Sequence, residues 1–257
     1  MDIPIRHRRL RINESVRSLI RENHLSTKDF ILPIFINEGV NNKEAIPSMP
    51  GIYRLSLDLL KEEIKLIWQL GIRAVNIYVK VDQSLKDNTG KEAWNPDGLM
   101  QRAIKTVKEI APEMVVMPDV ALDPYSMFGH DGIVKNGTVL NDETVEALVK
   151  MSISHAESGA DFVAPSDMMD GRVAAIRQGL DQNGFTKVGI MSYAAKYASN
   201  FYGPFRDALD SAPVDNQEIP RDKKTYQMDY HNSMEALREA EADVIEGADI
   251  LLSLIHI

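Results

Sequence analysis

The sequence predicts an α/β fold of the (β/α)-barrel kind, on three observations. Six short apolar runs recur between longer helical patterns: Phe30–Ile36, Ala74–Val79, Met114–Met117, Asp161–Ala164, Val188–Met191 and Asp249–Leu252. They are mostly apolar without strict alternation, as buried parallel strands are. A helix, then glycine, then a strand occurs three times, at Gly71, Gly159 and Gly247. No glycine-rich nucleotide loop follows the first run, which favours a barrel over a doubly wound sheet.

The elements follow in order. Between the first two strands, Ser56 to Leu70 places Leu59, Leu60, Ile64, Ile67 and Trp68 on one helical face and stops before Gly71. Asn141 to Ser158 opens on Asn-Asp-Glu-Thr, favourable N-terminal chemistry, and stops before Gly159. Ser233 to Glu246 repeats the pattern before Gly247. Residues 1–28 read as an N-terminal arm and entry segment. Residues 29–257 read as one partial barrel with about six strands and no linker. The basic start, Arg6 to Arg11, suits either an arm on an acidic partner subunit or a frayed tail.

The chain has 257 residues, 44% hydrophobic and 26% charged, enough for one domain with a sizeable core. A net charge of −9 argues against nucleic acid or an acidic membrane as the main partner. No apolar run approaches a membrane span, and no secretory h-region follows the basic start. The absence of cysteine excludes disulfides and thiolate-bound zinc and is compatible with a reducing cytoplasm.

Barrel chemistry sits at the C-terminal ends of strands. Those ends carry Lys80 and Asp82, Asp119, Ser166 and Asp167, and Ser192 with Lys196. Lys196 lies among small and aromatic residues, with no acid nearer in sequence than Asp207. Burial there would favour its neutral amine, a nucleophile toward carbonyls; a solvated surface lysine is the plain alternative. Asp119, Asp123 and Asp131 share one strand-to-loop passage and suit Mg²⁺, no metal, or ordinary turns. His130 beside them is a ligand, a base or a hydrogen-bonded loop residue. Arg206 and Lys223 lie in a polar stretch that reads as a mobile loop over the mouth. They either grip a substrate carboxylate or belong to a solvated charge run. At this level, an aldolase-like lyase and a condensing enzyme fit equally.

Several ordered stretches together resemble the porphobilinogen synthase (5-aminolevulinate dehydratase) family. They are Met49–Arg54, Met117–Val120, Val163–Arg172, Met191–Tyr193 with Lys196, Phe201–Arg206 and Tyr226–Met228. The resemblance spans nearly the whole chain. It implies a TIM (β/α)8 barrel with an arm that wraps a neighbour, and homo-oligomers, commonly octamers. It implies a hydro-lyase of tetrapyrrole synthesis that condenses two 5-aminolevulinate molecules through lysine Schiff bases. Lys196 matches the lysine of the second-bound substrate. Arg206 and Lys223 match the carboxylate-binding pair, though many relatives carry Arg at the second position. Asp119, Ser166 and Tyr202 match polar residues lining the site. Where zinc-type members carry three cysteines, this chain has Ala121, Asp123 and Asp131. That implies the aspartate-type subgroup, with no catalytic zinc and an activating Mg²⁺ at Glu239, away from the chemistry.

The resemblance stops near the end. The family continues into Val-Lys-Pro, whose lysine forms the other Schiff base, whereas this chain reads Ser253-Leu254-Ile255-His256-Ile257. The expectation is therefore a barrel incomplete at its C-terminus and inactive as written. Two other readings remain: a different Schiff-base aldolase or lyase on the same barrel, and a non-catalytic oligomer partner.

Overall fold

A computed structural model describes residues 3–214 and 219–254. Met1 and Asp2 of the expected arm, and Ile255, His256 and Ile257 of the divergent tail, lie outside the described residues.

The first segment holds a 3-10 turn at His7–Arg11 and helix α1 (Glu14–Leu19), and neither contributes a buried residue. Ile5, Ile12, Leu19 and Leu25 of this segment are exposed. The barrel elements follow: β1 (Ile31–Ile36), β2 (Lys43–Ala45), β3 (Tyr53–Leu55), α2 (Leu57–Gln69), β4 (Ala74–Val79), α3 (Leu99–Ile110) and β5 (Val115–Val120). A small hairpin of β6 (Val134–Lys135) and β7 (Thr138–Val139) precedes α4 (Asn141–Glu157), β8 (Phe162–Pro165), α5 (Arg172–Gln182) and β9 (Gly189–Ala195). The last elements are α6 (Gly203–Leu209), α7 (Ser233–Glu246) and β10 (Ile250–Ser253).

The main sheet runs β10-β9-β8-β5-β4-β1-β3-β2. Every pairing in it is parallel except β2 with β3. All six expected strands are therefore present, each within a few residues of the expected bounds, and they are neighbours in the sheet. Among the described residues the sheet does not close on itself, since β10 pairs with β9 and β2 with β3.

Successive strand side chains point to opposite faces. Val75, Ile77 and Val79 of β4, Val116 and Val120 of β5, Val163 of β8 and Ile190 of β9 join the core under the helices. Leu60, Ile64 and Ile67 of α2, and Ala103, Ile104 and Val107 of α3, cover them. Each large apolar side chain so buried contributes about 1.5–3 kcal/mol. The opposite strand face is more polar. It presents Met117, Ala164, Met191 and Tyr193 in one cluster, with Phe35 and Tyr78 in another. Both faces are buried, which is why alternation was weak in the sequence.

The repeated glycine has a mechanical reason. After α4, the Ala160 amide donates to His155 O at 3.1 Å; after α7, the Ala248 amide donates to Asp243 O at 2.9 Å. These bonds reach back across a helix end and require a left-handed residue, met by Gly159 at φ +101° and Gly247 at φ +106°. The chain then enters the next strand.

Candidate active site

Lys196 follows the last residue of β9, and its ammonium donates to the Ser166 carbonyl oxygen at 2.5 Å. Ser166 follows β8, and its hydroxyl donates to Asp119 Oδ1 at 2.7 Å. Asp119 lies in β5, directly in register with Ala164 of β8. Three neighbouring strands thus line up a lysine, a serine and a carboxylate.

The loop after β5 adds two carboxylates. Asp131 Oδ2 lies 3.6 Å from Lys196 Nζ. Asp131 Oδ1 accepts from Lys223 Nζ at 2.6 Å, and Asp123 Oδ2 accepts from the same ammonium at 3.2 Å. Lys223 is only 4% exposed, whereas its neighbours Arg221, Asp222 and Lys224 are exposed. The solvated charge run is real, but Lys223 is turned out of it into the site.

The loop carrying Asp131 is fixed by a closed hydrogen-bond circuit. Tyr226 Oη accepts from the Asp131 amide at 3.2 Å and meets His130 Nδ1 at 3.1 Å; His130 Nε2 meets Pro220 O at 2.8 Å. A carbonyl can only accept, so Nε2 carries the proton and Nδ1 accepts from Tyr226. His130 is therefore a hydrogen-bonded loop residue. Gly129 supports the same contact at φ +69°: a Cβ there would sit 2.3 Å from Ala212 O.

The other wall comes from the segment after Lys196. Tyr202 ends a 3-10 turn, and Phe205, Arg206 and Leu209 lie in α6. Together these groups enclose a cavity of about 240 Å³, lined also by Tyr78, Tyr193, Phe201, Gln227 and Leu254. Tyr193 Oη accepts from Asn76 Nδ2 at 2.8 Å and lies 2.6 Å from Tyr78 Oη. Sequence reasoning did not assign Tyr78 or Tyr193. The available signal was a tyrosine in each of two otherwise apolar strands.

Burial and charge set the protonation states. Burial pushes Asp119 up to about 7, reinforced by the charge of Asp123 and countered by Lys196 and Ser166. Asp167, beside Ser166, rises to about 6 through burial, countered by Arg172. Burial alone would lower Lys196, but Asp131, Asp123, Asp119 and Asp167 outweigh it and hold the ammonium above its ordinary value. This corrects the expectation of a neutral amine by desolvation. In sequence no acid is near; in space four are.

Seven of the expected residues thus converge with Lys196: Asp119, Asp123, Asp131, Ser166, Tyr202, Arg206 and Lys223. Four expected mouth residues do not line the cavity: Lys80, Asp82, Asp167, which follows Ser166, and Ser192, whose hydroxyl donates to Asp243 Oδ2 at 2.6 Å. Lys80 Nζ donates to Glu44 Oε1 at 2.9 Å and does not line the cavity. Asp82 accepts from the Ser84 amide at the head of a 3-10 turn. Lys80 and Asp82 follow β4, and the chain beyond them runs to the loop after β5, where the Asp87 amide donates to Tyr125 O at 3.1 Å. Glu239 lies elsewhere, on α7, in a second cavity of about 480 Å³ shared with Asp170, Asp229 and Glu235. Burial raises its pKa, Arg172 opposes the shift, and the charges of Asp170, Asp243 and Glu235 add to it. Among the described residues, no three His, Cys, Asp or Glu side chains form a ready ligand set. A single carboxylate in an acidic cavity fits a largely hydrated Mg²⁺ better than an all-protein cage.

Comparison with known proteins agrees with this geometry. The family model for delta-aminolevulinic acid dehydratase matches residues 4–253. The chain is 51% identical to the delta-aminolevulinic acid dehydratase of Bradyrhizobium diazoefficiens over 252 residues, covering 98% of this chain and 70% of that protein. It is 50% identical to the Bacillus subtilis protein of the same name over 247 residues, covering 96% of this chain and 74% of that one. Its structure superposes with a TM-score of 0.92 on the porphobilinogen synthase of Toxoplasma gondii, solved with its reaction product porphobilinogen. That match is 50% identical and covers 98% of this chain and 70% of the other. With a TIM-barrel sheet that carries a strand-end lysine among aspartates, the chain belongs to the delta-aminolevulinic acid dehydratase family.

Proposed function

We propose that this site binds 5-aminolevulinate as an imine on Lys196 and serves its condensation to porphobilinogen. The observation that carries the reading is the line from Lys196 Nζ to Ser166 O, and from Ser166 Oγ to Asp119. The lysine is held at a strand end, and a carboxyl group with a pKa near 7 stands one residue away.

Lys196 must first lose a proton. Its nitrogen then attacks the substrate ketone carbon, and the carbonyl oxygen leaves as water after two proton transfers. Asp119 suits those transfers because both of its protonation states are populated near neutrality. Ser166 orients it. Arg206 and Lys223 face the same cavity and suit the substrate carboxylate. Lys223 has three N–H donors, of which two meet Asp123 and Asp131, leaving one for a substrate oxygen. Tyr202 Oη has no hydrogen-bond partner among the described residues and lines the same space.

The exposed apolar residues of the first segment support an arm that packs on a second copy, and hence a homo-oligomer, of which an octamer is the family form. Glu239 would hold the activating Mg²⁺ through one carboxylate, the remaining positions being water. No helix among the described residues is long and apolar enough to cross a membrane; with the absence of cysteine this supports a cytoplasmic enzyme.

Borohydride reduction in the presence of 5-aminolevulinate tests the reading. One reduced adduct is expected on Lys196 by peptide mass mapping, and Lys196→Ala should lose it. An adduct on another lysine, or none, would sink the assignment. Porphobilinogen formation, assayed on the same preparation, reports the full condensation.

A further inference from the structure

We infer that Arg54 is a positioning residue for the substrate-binding segment, through the carbonyl end of α6. The inference rests on the reading of Lys196 and Arg206 given above.

Helix α6 has seven residues, too short to hold itself in water. Yet it carries Phe205 and Arg206 over the cavity. Arg54 binds two of its last carbonyls: Arg54 Nε donates to Ala208 O at 2.6 Å, and Arg54 Nη2 donates to Asp207 O. A cation at a helix C-terminus also meets the negative end of the helix dipole. Arg54 is 3% exposed. It lies in β3, opposite Glu44 of β2 in the antiparallel register, and Glu44 Oε1 takes its remaining nitrogen, Nη1, at 2.8 Å. The guanidinium is therefore committed on every side, and it spans from the far edge of the sheet to the cavity wall.

Contacts on three sides point the same way. The Ser48 hydroxyl and amide donate to Asp207 Oδ2 at 2.5 and 3.2 Å. Lys86 Nζ donates to Asp210 O at 2.7 Å, and Gln83 Nε2 donates to Asp210 Oδ2 at 2.7 Å. On the inner side, the Phe205 ring meets Tyr78 at 5.1 Å and Phe35 at 5.5 Å, edge to face. Arg54 is the buried member of this set that binds the helix backbone itself. Without it, Ala208 O loses its charged donor and Asp207 O keeps only the Asp210 amide, in a poorly solvated place beside Arg206. The segment then opens, and the cost falls on carboxylate binding, not on the lysine.

Two measurements test this on the intact chain: hydrogen exchange of the amides of residues 203–210, and the 5-aminolevulinate concentration giving half-maximal borohydride trapping at Lys196. In Arg54→Gln, exchange in 203–210 should quicken at least tenfold with α2 unchanged. Half-saturation should rise about tenfold at an unchanged trapping plateau, and Arg54→Lys should recover part of both. Should Arg54→Gln fail to fold, exposed Ser48→Ala carries the test, with a shift of two- to threefold in the same peptide. Unchanged exchange, or faster exchange with unchanged half-saturation, overturns the inference. If the parent chain itself traps nothing, the reading of Lys196 falls, while the exchange data still decide whether Arg54 holds α6.

Discussion

Asp131 Oδ2 faces Lys196 Nζ at 3.6 Å, and both groups are screened from bulk water, the carboxylate fully so. The pair joins the loop after β5 to the end of β9. It favours the ammonium over the amine, which must be reversed before any imine forms. A substrate bringing its own ammonium among the carboxylates would shift this balance toward the amine.

Replacing Asp131 should therefore ease deprotonation of Lys196. In Asp131→Asn the pH profile of borohydride trapping should move to lower pH. Asp123→Asn should move it the same way by less, because Asp123 is the weaker of the two influences on Lys196. A profile unchanged in both variants would show that these carboxylates do not set the lysine's protonation.

Asp119 is expected to limit stability at neutral pH. Its folded pKa of about 7 lies above the ordinary 3.8, so folding favours the protonated form. That contribution is fully present below about pH 4 and is lost as pH rises through 7. Asp119→Asn should gain stability relative to the parent across this window. The gain should be of the order of 4 kcal/mol above pH 7, since the folded pKa lies about 3 units above the ordinary value at about 1.4 kcal/mol per unit. Chemical denaturation at pH 4 and pH 8 measures it.

Buried charge should matter more to stability than the active site does. Arg172 Nη2 lies 3.2 Å from Asp243 Oδ2, each about 2% exposed, and Ser192 Oγ donates to the same carboxylate oxygen at 2.6 Å. Removing one partner strands the other, so Arg172→Met should cost about 3–5 kcal/mol. The double change Arg172→Met with Asp243→Leu should recover much of that. A single change costing under about 1 kcal/mol would contradict the picture of a dry pair.

His155 in α4 offers a separate acid sensor. Burial alone lowers its pKa to about 3, and neither ring nitrogen has a partner among the described residues. A depressed histidine contributes stability present above its unfolded pKa of about 6.5 and lost as pH falls toward the folded value. His155→Leu should abolish that part of the acid loss between about pH 6 and pH 4, read as a flatter curve of melting temperature against pH.

The fold was legible where period and punctuation agreed. β4 fell on the expected residues, Ala74 to Val79, because a run of β-branched side chains is bounded by polar ones. α4 and α7 were marked by their first-turn chemistry and closing glycines. α3 was missed although Leu99, Met100, Ala103, Ile104 and Val107 lie on one face, because its start at Gly98 carries no side-chain cap. β2 and β3 have three residues each, too few for a period to show.

The site was legible as a set of residue types at strand ends, not as an electrostatic field. Lys196, Asp119 and Ser166 could be placed because their strands could be. The sign of the Lys196 shift could not be read, since it depends on Asp131, which reaches the lysine through a loop. Lys80 looked equivalent by position, yet Glu44 across the sheet edge claims it.

The trio of Asp123, Lys223 and Asp131 has one further consequence. A lysine ammonium here sits between two hard carboxylates, and the sequence has no cysteine. Thiol oxidants and alkylating reagents have no sulfhydryl to attack, and soft metal ions such as lead or mercury have no thiolate to seize. The geometry of this pocket is thus held by charges that answer to pH, with no thiol in its lining to answer to redox state.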